Sequence, residues 1–168
     1  MFGDWENFYL IVGGAAGALI GVMFVVTTLS AGLEQNRASR GARVYITPIV
    51  FHFAIVLIVS AIAVTPGLPI EAIAAVVGLC ALLGLTYSLV TTMRIFAIQD
   101  LDLPDWEDKI FYGILPAIVY LSLAGAAAAV WFAPMMAALS IAIVMLAILL
   151  VGIRNAWDLA TYLVIRKP

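Results

Sequence analysis

Four stretches of this chain contain no Asp, Glu, Lys or Arg: Asn7–Leu33, Val44–Ile70, Ala72–Met93 and Ile110–Ile153. A helix needs about 20 apolar residues to cross the hydrocarbon of a bilayer, so each of the first three stretches is one span. The fourth, at 44 residues, is too long for a single crossing. Trp131, Phe132 and Pro134 interrupt it near its middle, which reads as two helices joined by a tight turn. The expected fold is therefore all-α, a polytopic transmembrane helical bundle forming one membrane domain over residues 1–168. Its five spans fall at about 7–30, 45–65, 70–93, 110–131 and 134–153. Composition agrees, since only 11% of residues are charged against roughly a quarter in soluble domains.

Basic residues set the expected orientation, because Lys and Arg near span ends stay on the cytoplasmic side. Arg37, Arg40 and Arg43 lie between spans one and two, Arg94 and Lys109 between three and four, and Arg154, Arg166 and Lys167 after span five. With five spans all three segments share one side, which predicts an N-out, C-in protein of the bacterial inner membrane. The opening MFGDWEN is acidic and lacks the basic start of a cleaved signal peptide, so span one is expected to be retained. The single cysteine, Cys80, leaves no internal disulfide to form.

The first span carries GGAAGALIG, with glycine at 13, 17 and 21. Helices in lipid gain little from burying apolar area against one another, and hold together where small residues let backbones approach. Gly13, Gly17 and Gly21 are thus expected to be a packing face, with Phe24 and Thr28 continuing the stripe and Phe24 ending the close approach. The partner is another span, a second copy, or a larger membrane protein. Span three carries a comparable stripe of Cys80, Gly84, Ser88 and Thr91 leading toward Arg94.

Polar groups inside a membrane are expensive and so carry functional weight. His52, the only histidine, is a candidate proton- or ion-responsive group; the alternative is a neutral imidazole bonded to a neighbouring helix. Arg154, Asn155 and Asp158 end span five, and the spacing of Arg154 and Asp158 lets them pair on one helix. With Thr28, Ser88, Thr91 and Arg94, these residues concentrate hydrophilic groups in the cytoplasmic half and leave the outer half dry, as in a pore with a hydrophobic constriction. Hydroxyls bonded back to their own helices explain much of the same pattern.

Pro116 should kink span four by removing a bond to the Tyr112 carbonyl, whereas Pro48 is expected in the first turns of span two. Pro104 and the carboxylates that follow it read as a helix start, with Trp106 as an interfacial anchor. The five carboxylates from Asp100 to Asp108 lack the spacing of a calcium loop. The tail 154–168 either prolongs span five or lies on the membrane surface.

No catalytic motif, phosphate loop or metal-ligand set appears, so no enzyme activity and no cofactor are expected. A formal charge of −2 without a basic soluble face argues against nucleic acid. The expected partners are the lipid bilayer and either further copies or a larger membrane protein. The leading expectation is a homo-oligomer lining a pathway for a small ion or solute, and the alternative is a non-catalytic accessory subunit or assembly factor.

Overall fold

The computed structural model of the chain describes residues 5–31, 38–97 and 106–165. These form five long helices, α1 (Glu6–Ala31), α2 (Ala38–Ala63), α3 (Ile70–Ala97), α4 (Trp106–Ala129) and α5 (Pro134–Ile165). Each is long and apolar enough to cross a membrane. Helix α4 has the lowest mean hydropathy, 1.8 against 2.9 for α5, and it is the helix whose backbone departs from α geometry. A short turn at Trp106–Asp108 leads into a π-helical segment, Lys109–Ile114, before α geometry begins at Leu115.

Helices α2, α3, α4 and α5 form a closed ring in which each packs on the next and α5 returns to α2, with α1 outside against α2 and α5. Close contacts of Gly84 with Tyr120 and of Gly113 with Thr92 make α3 and α4 antiparallel, and those of Gly13 with Ser60 and Gly17 with Leu57 do the same for α1 and α2. The arrangement is an up-down four-helix bundle with one flanking helix. Turns are short: α4 passes to α5 through Val130–Ala133, where the N–H groups of Phe132 and Ala133 both donate to Ala129 O, and Pro134 opens α5. Between α2 and α3, Gly67 takes φ +72°, a conformation that side chains rarely adopt.

One end of the bundle gathers Arg94, Glu107, Lys109, Arg154 and Asp158 (the charged end). The half leading to the other end is lined by small or apolar buried side chains, among them Ala74, Ala126, Ala137, Ala138 and Leu123. Large apolar side chains such as Ile11, Leu79, Leu121 and Leu150 face outward, the inversion expected of a helix bundle whose solvent is lipid.

Several boundaries differ from the sequence expectations. Helix α2 starts at Ala38, so Pro48 lies in its interior rather than in its first turns. Helix α5 continues without a break to Ile165, which makes the tail, as far as that residue, an extension of span five. At 32 residues it is about 48 Å long, well over the ~30 Å of hydrocarbon, and its last turns stand beyond the apolar layer. Asp100, Asp102, Pro104 and Asp105 lie outside the described residues.

The glycine stripe of α1 packs only at its start. A Cβ on Gly13 would lie 2.8 Å from Ser60 Cβ, Gly17 makes ordinary contact with Leu57, and Gly21 has nothing within 4 Å. Phe24 and Thr28 are exposed, so the close approach ends well before Phe24. Geometry explains the drift: residues four apart advance about 400° around a helix, so an i, i+4 stripe turns some 40° per step away from a straight neighbour. The buried face of α1 instead follows the 3.6-residue period through Tyr9, Val12, Gly13, Ala16 and Met23.

Candidate functional site

Two polar clusters occupy the charged half of the ring. The first is built on the π-helical segment. Leu115 donates its N–H to Ile110 O, five residues back, and in that register the Phe111 carbonyl faces the nitrogen of Pro116, which has no hydrogen. Asn155 of α5, fully buried, donates from Nδ2 to that carbonyl at 2.9 Å. The proline's effect therefore differs from the expected loss at Tyr112, because the wider turn moves the unpaired carbonyl back by one residue.

Tyr112, two per cent exposed, points its hydroxyl at the same stretch of α5. It donates to Asn155 O at 2.9 Å and shares the proton with Asp158 Oδ2 at 3.2 Å. Arg154 lies over the Phe111 ring, its Cζ 3.7 Å from the centroid, and its Nη2 meets Glu107 Oε2 at 3.1 Å. The pairing of Arg154 with Asp158 along one helix does not form; both side chains reach across to α4 instead. In lipid, cross-helix bonds hold helices together, so these contacts clamp α5 to the start of α4.

The second cluster lies deeper. His52 on α2 is buried, and its Nδ1 is 2.8 Å from the hydroxyl of Tyr120 on α4. If the hydroxyl donates to Nδ1, the ring proton sits on Nε2 and one buried donor is orphaned. The opposite tautomer orphans the hydroxyl proton as well as Nε2, so the first assignment costs less. Pro116, Val119, Ile148 and Val151 close around the pair and leave no space for a water molecule. Tyr120 in turn packs its ring against Gly84, where a Cβ would overlap it, while Gly152 gives the same freedom to Phe53.

The candidate residues thus separate. His52, Ser88, Thr91 and Asn155 are buried within the ring, and Arg154 and Asp158 lie at its charged end. Thr28 is on the outer surface of α1, its hydroxyl donating to Phe24 O at 2.8 Å, and Arg94 is exposed on α3. Of the packing glycines, Gly13 and Gly84 are in tight contacts, Gly17 in a loose one and Gly21 in none. The sequence reading missed Tyr112, Tyr120, Gly113, Gly152 and Glu107. A tyrosine hydroxyl inside an apolar run was the available signal, since it normally finds a partner when buried. Among the described residues, no three His, Cys, Asp or Glu side chains come together.

Five membrane-length helices with their apolar faces outward define a multi-pass membrane protein. No protein-family model, curated protein or solved structure matches the chain significantly.

Proposed function

We propose that this protein carries a small ion or solute across the membrane, without enzymatic chemistry, as an assembly of several copies whose polar half-pathway lies within each copy. The observation that supports this reading is that four of the buried polar atoms without a hydrogen-bond partner among the described residues, His52 Nε2, Ser88 Oγ, Arg154 Nη1 and Asn155 Oδ1, fall in one half of the ring, while Ser60 Oγ, against Gly13 of α1, lies in the other. Leaving such an atom unpaired costs about 1–3 kcal/mol, and all four lie in the charged half of the ring. They are groups that an ion or solute can engage, from Arg154 at the mouth to His52 at depth, where the closed packing around the imidazole must first open. The Ala-lined half is the dry constriction, which passes solute only when it opens. The π-helical segment is the hinge, since such turns are local irregularities that recur at functional sites.

Purified protein in liposomes should dissipate an imposed proton or ion gradient, with His52→Ala and Asp158→Asn each changing the flux. A tight membrane under several gradients and pH values overturns the proposal. A second reading, an accessory subunit or assembly factor of a larger complex, draws support from α1, where Gly14 and Gly21 have open space before them. Native mass spectrometry of the assembly released from its own membranes separates the two. Integer multiples of this chain support the first reading, and a further polypeptide supports the second.

A further inference from the structure

Outside the ring, the seam between α2 and α3 carries an open groove of about 410 Å³, bounded by Phe51 and by Leu82, Leu83, Tyr87, Val90 and Arg94 of α3. The Phe51 and Tyr87 rings stack within it at 4.5 Å. Thr86, also in the groove, donates its hydroxyl to Leu82 O at 2.7 Å and so offers little polarity. At one end stands Arg94, exposed and without an ion-pair or hydrogen-bond partner among the described residues. The contrast is Arg154, which has both Glu107 and the Phe111 ring.

Dimensions identify the occupant. The thirteen residues from Leu82 to Arg94 cover about 18 Å of helix, close to the ~15 Å of hydrocarbon in one leaflet. Helix α3 has 28 residues, or about 42 Å, and if centred exceeds the hydrocarbon by about four residues at each end. Arg94 is fourth from its end, which places the guanidinium at the depth of lipid phosphates. Planar guanidinium matches phosphate geometry.

We propose that this groove binds one anionic glycerophospholipid, an acyl chain lying along Leu82, Leu83, Thr86 and Val90 and the phosphate resting on Arg94. The site is outside the polar core and independent of any pathway through it.

The test is native mass spectrometry of the full chain from nanodiscs holding equal phosphatidylglycerol and phosphatidylcholine. The expected result is one retained lipid with phosphatidylglycerol preferred, a preference that millimolar inorganic phosphate does not displace. Arg94→Gln should lower that preference roughly fivefold, and Thr86→Trp, which fills the groove, should lower retention of both lipids. Lys109→Gln removes a cation that lies over Phe96 at the same end and should change nothing. Circular dichroism confirms that each variant keeps its helices, as expected for the exposed Arg94 and Thr86 and the half-buried Lys109. Unchanged retention in both Arg94→Gln and Thr86→Trp overturns the proposal. So does an equal loss from Lys109→Gln, which would mean that general charge at this end, and not the groove, recruits lipid. Loss of the adduct to inorganic phosphate also overturns it.

Discussion

Tyr120 makes two of the tight contacts in the ring at once, its face occupying the space that a Gly84 Cβ would need and its hydroxyl meeting His52 Nδ1 at 2.8 Å. The two contacts have different magnitudes. Gly84→Ala forces a methyl into a packed ring, and overpacking costs about 1–3 kcal/mol. Tyr120→Phe keeps the ring and removes one interhelical hydrogen bond, worth about 0.6–1.7 kcal/mol in membrane bundles. Gly21→Ala meets open space and should gain up to about 1 kcal/mol of helix propensity. Unfolding titrations in detergent should therefore rank Gly84→Ala as most damaging, Tyr120→Phe next, and Gly21→Ala as neutral or stabilising. Equal behaviour of the two glycine variants would contradict the contact. The sequence marked Gly84 and His52 as unusual, one as a small residue in a polar stripe and the other as the only imidazole. It could not join them, because their common partner is a tyrosine on a third helix, and pattern along one helix carries no information about which side chain fills a gap on another.

Helix α4 shows the same division at the level of an element. Pro116 is visible in the sequence as a residue that removes a backbone donor, and the start near Trp106 is legible from the acidic turn. The way the backbone absorbs the loss is not, because the π-helical register depends on an amide supplied by Asn155 from α5. Asn155 is therefore a cap for the interior of another helix, and its value depends on Pro116. In the native background Asn155→Leu should cost about 1–3 kcal/mol, the penalty for orphaning the Phe111 carbonyl. Pro116→Ala supplies an N–H at that position, so the same Asn155→Leu change should cost less once the carbonyl has a backbone donor. A double-mutant cycle should give a coupling of about 0.5–3 kcal/mol, the range for residues sharing one hydrogen-bond network. Additivity to within about 0.5 kcal/mol would mean that Asn155 and Pro116 act separately and that the wider turn has another cause.

For the whole molecule, the number of spans and their approximate places were legible because the physics is one-dimensional: a charge-free run either is or is not long enough to cross hydrocarbon. Ring order was not, since each helix is apolar on every side and gives no direction to its neighbours. The glycines of α1 show the consequence. Gly13 lies against Ser60, whereas Gly21 faces open space on the outer side of the same helix, so one motif serves the fold at its start and leaves a small-residue surface further along. These roles separate by substitution. Gly13→Leu inserts a side chain where even a Cβ would be 2.8 Å from Ser60, and it should lower the unfolding midpoint by an amount in the overpacking range of about 1–3 kcal/mol. Gly21→Leu places its Cβ in open space at an exposed position, and surface changes of this kind usually stay within about 0.5 kcal/mol. If copies or partners meet on this outer face, Gly21→Leu should nevertheless release them, because a bulky side chain keeps two backbones from close approach. Detergent unfolding and native mass spectrometry on the same two variants then give opposite patterns: Gly13→Leu reduces stability at constant mass, and Gly21→Leu reduces mass at constant stability. An assembly that keeps its full mass in Gly21→Leu would place the association surface elsewhere than on α1.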